Sequence, residues 1–307
     1  AIGVNHKGFN QLLSVRFYTQ IVRSQLEYGL AISAVSSSNI TKLETCQTQC
    51  IRRIFGGGSR SSTKVMLHLT NQPTMKERVH RLQAKFLFRS INAPEDTLLS
   101  QFLEYLRTSA SLSQWYKLSK TPLWQRYCAS HEIDGLDSRT FNTIYHEYLK
   151  YNLNARRNAT NSLLLSACRH KLGIDPILWL PMTPSERSRL IRWHLGCLPG
   201  GVPIPCIYHP TVKFTRSHAI WCLYMHRRLQ MPTTEPDPLS FLLNKLPTQR
   251  KKRGPSDNIN PSPFAAWTVR WPSICQILFE LDYLHHGKIP PETSPLGVKL
   301  VKWLCNN

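Results

Sequence analysis

Carboxylates are scarce in this chain. Its 307 residues include 18 Asp and Glu against 39 Lys and Arg, for a formal net charge of +21. The acidic residues are also dispersed, with Glu95–Asp96 the one adjacent pair. A two-metal polymerase or nuclease centre needs grouped carboxylates to hold its divalent ions, so none is expected within this chain. No G-x-S-x-G, H-E-x-x-H or dinucleotide fingerprint occurs, and no catalytic residue is assigned. Long apolar runs are missing as well. None approaches the ~20 residues that cross a bilayer, and no membrane partner is expected. The opening AIGVNHKGFN has no basic stretch leading into an apolar one, which excludes a secretory leader. It also lacks an initiator Met, as a fragment of a longer chain would. Internal repeats and strand-type alternation are absent.

Nine cysteines, an odd number scattered along the chain, do not form the framework of a secreted disulfide protein. A reducing intracellular compartment fits better, with thiols free to bind metal or to pack. The excess of cations creates a long-range positive field that attracts polyanions. Nucleic acid, DNA and/or RNA, is the partner this field implies, and an anionic membrane surface is the less usual one. The plain alternative is a solvated basic surface with no specific partner.

The pattern that is present is helical, and the fold class expected is mainly α. In SSSNITKLETCQTQCIRRIFGGG, Ile40, Leu43, Cys46, Cys50, Ile51 and Ile54 recur at helical spacing. Ser38 or Asn39 can cap the start, and Gly56 to Gly58 stop the helix. Cys46 and Cys50 are expected in the core. In NQPTMKERVHRLQAKFLFRSI, Pro73 fits the first turn and Met75, Val79, Leu82 and Phe86 form a stripe opposite Lys76, Arg81 and Lys85. TFNTIYHEYLKYNLNARRNATNSLLLSACRHKLG supplies one or two further helices, with Arg156 and Arg157 expected at the surface. TPSERSRLIRWHLG opens with a capping box, Thr183 at the N-cap, Pro184 next and Glu186 at N3, and its Leu190, Ile191 and Leu195 share an arc. The expected organisation is a helical region at 1–110, a helical connector at 111–182, a capped helix with a Cys/His knuckle at 183–229, a Pro-rich basic linker at 230–264 and a helical tail at 265–307. The tail carries Ile274, Ile277, Leu278, Leu281, Leu284, Leu300, Val301 and Leu304 on its apolar face.

CIYHPTVKFTRSHAIWC holds the sharpest local signal. Cys206, His209, His218 and Cys222 stand at C-x2-H-x8-H-x3-C spacing. A tight turn helped by Pro210 lets Cys206 and His209 grip one ion, and His218 and Cys222 fall on one helix face. Zinc takes four such ligands tetrahedrally, and a structural zinc contributes ~10–16 kcal/mol of apparent folding energy. The alternative is a surface His pair beside two buried cysteines. Cys197 is a reserve ligand. Around the knuckle, cations alternate with Phe214, Trp221 and Tyr224, the combination that meets phosphates and unpaired bases, although each aromatic taken singly suits a small core. Candidate phosphate contacts are Arg52, Arg53, Arg189, Arg192, Lys213, Arg216, Arg227 and Arg228. Arg250, Lys251, Lys252 and Arg253 form a further basic run, suited to a phosphate clamp or a nuclear import signal, or simply to a solvated segment.

RFYTQIVRSQLEYGLAIS, then ITKLETCQTQCIRRIFGG, then MKERVHRLQAKFLFRS resemble the segment after the palm in reverse transcriptases of non-LTR (LINE-type) retrotransposons. Tyr18, Arg23, Glu27, Tyr28, Gly29, Arg52, Arg53, Gly56, Glu77 and Arg78 carry the likeness. Arg187, Arg192 and Gly196, followed by the Cys/His set, are similar to the family's C-terminal knuckle, with His209 where the family has its second cysteine. The resemblance covers about residues 1–107 and 183–230. It implies that 1–110 is a thumb that grips template and primer, and that a palm with the catalytic aspartates lies upstream. The chain is thus expected to be a nucleic-acid-holding C-terminal fragment of such an enzyme, an RNA-directed DNA polymerase when whole, located in the nucleus. The other reading is a stand-alone remnant serving as a DNA- or RNA-binding or protein-interaction module.

Overall fold

In the computed structural model, which describes residues 8–108, 113–130, 137–248 and 265–305, the regular structure is helical and no named strand occurs among the described residues. The mainly α expectation holds. Contacts divide the chain into two units, residues 1–59 with 71–160 and residues 60–70 with 161–307.

In the first unit the long helix Ser37–Phe55 starts at Ser36, whose side chain accepts from the Asn39 amide. It ends at Gly56, which holds the left-handed φ of 63° that a helix stop requires. Its buried side is Gln47, Ile51, Ile54 and Phe55, while Cys46 is exposed and Cys50 half-buried. The two thiols are therefore not core residues. Gln47 faces inward because its amide donates to the Pro73 carbonyl at 3.0 Å. The next long helix, Met75–Ile91, is capped by Thr74 and Glu77 in a full capping box, so Pro73 lies just outside it. Its buried stripe is Met75, Val79, Gln83, Ala84 and Leu87, with Leu82 and Phe86 at the margin.

Helices Gln114–Ser119, Pro122–Ser130 and Ser138–Arg157 join that core. Leu87, Leu118, Leu123, Trp124, Tyr127, Phe141 and Tyr148 form one aromatic-rich cluster. The Trp124–Tyr127 and Phe88–Phe141 rings stack at 5.2 and 5.4 Å. Such pairs contribute about 0.5–1.5 kcal/mol each beyond their buried area. The stretch expected as a connector, 111–182, is thus divided: its helices before residue 160 contribute to the core of the first unit, and residues from 161 on belong to the second. Of the two arginines expected at the surface, Arg157 is not there and Arg156 is only partly exposed. Arg156 pairs with Glu77 at 3.2 Å and Arg157 is buried. Glu27 grips Arg78 through two 2.6 Å hydrogen bonds and also meets Arg23 at 3.3 Å. Two residues of the Arg-x-x-x-Glu-Tyr-Gly stretch, Arg23 and Glu27, therefore have a structural duty, while Tyr28 is exposed.

In the second unit the helix Pro184–His194 carries the capping box read from its sequence. The second oxygen of Glu186 accepts from the Gly297 amide at 2.7 Å, which ties the helix start to the tail. Gly297 has φ 78°, and a Cβ there would stand 2.7 Å from Trp271. Pro184–His194 packs on Ala265–His285, which packs in turn on Val298–Cys305. Ile274, Ile277, Leu278, Leu281, Leu284, Leu300 and Leu304 are buried as their spacing predicts. Of the expected linker 230–264, Pro238–Asn244 is a helix that buries Leu239, Leu242 and Leu243. The apolar spacing at i, i+3 and i+4 outweighs the flanking prolines. No helix among the described residues is long and apolar enough to cross a membrane.

His80 is buried in the first unit with its Nδ1 2.6 Å from the Tyr148 hydroxyl. Burial, aided by Lys76, pushes its pKa down to about 4. An unfolded His titrates near 6.5, so the unfolded chain takes up this proton first, and stability is lost as pH falls from about 6.5 to about 4. The native chain is expected to lose about 3 kcal/mol over that window from this group. His80→Gln should remove that part of the slope in urea unfolding followed by circular dichroism. An identical slope in the variant would place the proton uptake elsewhere.

Candidate metal centre

Residues 204–214 fold back on themselves. The Cys206 amide donates to the Val212 carbonyl at 2.9 Å and the Phe214 amide to the Ile204 carbonyl at 2.7 Å. A single antiparallel bridge joins Pro205 to Lys213. His209 sits in the turn, its amide donating to the Cys206 carbonyl at 3.2 Å. Thr215 then caps the helix Arg216–Cys222 by accepting from the His218 amide, and His218 and Cys222 point from one face of that helix.

These two pieces bring together the four residues expected from the spacing. Their ligand atoms all lie within 4.8 Å of one another. The Cys206 and Cys222 sulfurs are 3.7 Å apart, and His209 Nδ1 is 3.7 Å from the Cys206 sulfur. Both thiols are buried, 2 and 7 % exposed. His218 Nε2 is buried with no hydrogen-bond partner. A buried nitrogen without a partner is costly, and here it belongs to the same group as two thiols. Burial and the adjacent Cys206 thiol push the Cys222 thiol up to about 12. A cation between the sulfurs removes that penalty by binding the thiolate. Burial, with His209 alongside, lowers His218, which keeps its imidazole in the neutral form a metal needs. The cluster can hold a metal ion. The reserve ligand Cys197 is outside it, with its sulfur 3.4 Å from the Ser61 hydroxyl.

Arg216 locks the ligand-bearing helix in place. It pairs with Asp237 at 2.7 Å, donates to the Trp193 carbonyl at 3.0 Å and to the Ser240 hydroxyl at 2.8 Å, and lies 3.8 Å above the Trp193 ring centre. Trp193, fully buried, donates its indole N–H to the same Ser240 at 2.9 Å. Other expected phosphate contacts have similar inward roles. Arg189 and Arg192 share Asp282 at 2.9 and 2.8 Å. Arg228 takes Glu280 through both nitrogens, one at 2.9 Å. Lys213 and Arg227 are exposed and, among the described residues, without an ion-pair partner. Arg52 and Arg53 belong to the first unit, at the last turn of Ser37–Phe55, with Arg53 exposed. Arg250, Lys251, Lys252 and Arg253 lie outside the described residues.

The aromatics divide differently from expectation. Phe214 is buried and supports His218 with ring centres 6.1 Å apart. Trp221 is 61 % exposed and leans on His209 and His218 at 4.8 and 5.6 Å. Tyr208 and Tyr224 are exposed too. The internal arginine pairs were out of reach of sequence reasoning, since their partners stand 21, 52 and 93 residues away. The helix at 238 did leave a signal, Asp237 before Pro238 and an apolar run. No protein-family model, curated protein or solved structure matches the chain.

The helix has its own anchors in Arg216, Ala219 and Ile220, whereas Cys206 is the one buried residue of the fold-back 204–213. Stripping the ion from the metal-loaded chain should therefore loosen the fold-back first. In hydrogen exchange the amides of Cys206, His209 and Val212 should lose protection on the order of ten-fold, with Leu223 and Leu229 little changed. Equal losses across Pro184–His194 would show instead that the ion supports the whole unit.

Proposed function

We propose that this chain is a nucleic-acid-binding, zinc-containing C-terminal portion of a LINE-type reverse transcriptase, which holds template and primer, DNA and/or RNA, in the nucleus. The upstream palm would supply the polymerase chemistry. The observation that carries the reading is the Cys/His cluster with cations and aromatic rings at its rim. Tetrahedral zinc with Zn–S of about 2.3 Å separates two sulfurs by about 3.8 Å. The 3.7 Å between Cys206 and Cys222 fits this, and a thiolate–imidazole set suits zinc better than the oxygen-seeking divalent ions. Cys206, His209, His218 and Cys222 would hold the ion, which would pin the fold-back to the helix.

Electrostatics support the same reading. Arg81, Lys85 and Arg89 follow one another at i, i+4 and i+8 on Met75–Ile91. Lys85 is exposed, and its pKa is lowered by desolvation and by Arg89, Arg81 and Arg78 nearby. A row of mutually repelling cations suits a polyanion that would neutralise it. Arg53, Lys213 and Arg227 are exposed in the same way.

Native mass spectrometry is expected to find about one zinc per chain. A metal-free chain, together with a normally folded Cys222→Ser variant, would sink the zinc assignment. Affinity for a short labelled oligonucleotide should fall steeply with salt, by ~0.7–0.9 in log K per log unit of salt for each phosphate contact. A flat response would remove the nucleic-acid reading. The parentage is tested by the coding frame before Ala1: a palm with a Tyr/Phe-x-Asp-Asp motif supports it, and an in-frame stop supports a stand-alone module.

A further inference from the structure

We infer that Trp221 is a stacking platform for an unpaired nucleobase, so that the metal-centred region selects single-stranded over duplex nucleic acid. This rests on the nucleic-acid reading above and adds the class of strand. Trp221 is 61 % exposed although it belongs to the same short helix as buried Ala219, Ile220 and Cys222. A large indole open to water serves no packing purpose and favours association. Its ring is braced by the His209 and His218 imidazoles at 4.8 and 5.6 Å. Both imidazoles belong to the metal cluster, so the indole has little freedom left to lose when a flat partner arrives.

The surroundings match a base and its phosphates. Tyr208, next to His209, is half exposed, and Tyr224 is 67 % exposed. Tyr224 also holds a left-handed backbone, φ 48°. A bulky residue there is disfavoured, and Gly would turn the chain at lower cost. Its exposed ring is therefore explained neither by the core nor by the turn. Of the nearby cations, Arg216 and Arg228 are held by Asp237 and Glu280, which leaves Lys213 and Arg227 for phosphates. Two contacts give a weak electrostatic grip, with a salt slope of about 1.4 for a single strand. Stacking contributes about 1–3 kcal/mol per base and is insensitive to salt. The rings, more than the charges, would then decide what binds here. A protein partner could also use an exposed Trp, but the positive surroundings and the repeated aromatic rings favour the strand.

The test uses the full zinc-loaded chain and fluorescence anisotropy with oligothymidylate, oligouridylate, an abasic strand of equal charge and a duplex. Trp221→Ala should weaken both base-bearing strands by about ten-fold while leaving the abasic strand, the duplex and the salt slope unchanged. Lys213→Gln and Arg227→Gln should instead each lower the slope by about 0.7. Trp221→Phe should recover most of the affinity, with zinc content unchanged. A bromouracil strand should photocrosslink to the Trp221 peptide in the native chain, a readout that does not depend on how the variants fold. An equal loss on the abasic strand, no loss on any strand, or crosslinks confined to other peptides would overturn the platform, the second outcome leaving Trp221 to a protein partner. Failure of every strand to bind the native chain at low salt would instead sink the nucleic-acid reading itself. Unequal losses for the two base-bearing strands would tell RNA from DNA.

Discussion

With cations outnumbering carboxylates by more than two to one, the position of each acid decides where arginines go. Glu27, Glu77, Asp175, Asp237, Glu280 and Asp282 each meet at least one arginine. Most of these acids are shielded from water, where removing one partner of an ion pair is much more damaging than removing both. Asp282 shows the balance. Burial opposes its ionisation, yet hydrogen bonds from Arg192 and Arg189 hold its carboxyl below the usual range. A single carboxylate thus fixes two side chains of Pro184–His194 to the helix Ala265–His285. The arginines gathered in this way are withdrawn from the surface field. Charge toward solvent is left to the remaining exposed cations, Arg53, Lys85, Lys150, Lys213 and Arg227 among them.

The same division organises the metal cluster. The helix Arg216–Cys222 is fixed from below by Arg216 on Asp237, Ser240 and Trp193, and this sets the height of His218 and Cys222. Cys206 and His209 arrive from a fold-back with few apolar contacts of its own. Arg216, expected as a phosphate contact, is a positioning residue instead. Phosphate contact and internal pairing demand the same side chain, a long cation among aromatic rings, and sequence alone does not distinguish them.

What was legible followed from range. The capping box at Thr183 and Glu186 involves residues three apart, and the stop at Gly56 depends on one backbone angle. The Cys/His spacing was legible because a turn and one helical turn fix both ligand pairs locally. The tail's apolar face was legible because helical periodicity repeats there over several turns. Cys46 was misplaced because a thiol counts as apolar in any periodic pattern, while the neighbouring Gln47 is buried with its amide bonded to the Pro73 carbonyl. The connector at 111–182 failed as a unit because Leu118, Trp124, Tyr127 and Phe141 share one buried cluster with Ala84 and Leu87, an association of distant segments that no local pattern encodes.

The role an ion would have in the Cys/His cluster follows from what else supports the segment. Metal-dependent folding of about 10–16 kcal/mol belongs to peptides that have no other core. Here Leu198, Phe214, Ala219, Ile220 and Leu223 are buried and Arg216 adds its anchors, so stabilisation by a bound ion would fall mainly on the fold-back. Trp221 stands where these two supports meet. It is carried by the independently anchored helix, and one of its two braces, His209, is carried by the fold-back. An ion bound there would therefore bear on the rigidity of the indole more than on its position. A bound ion would hold both braces, His209 and His218, and so would restrict the motion of Trp221 from the fold-back and from the helix at once.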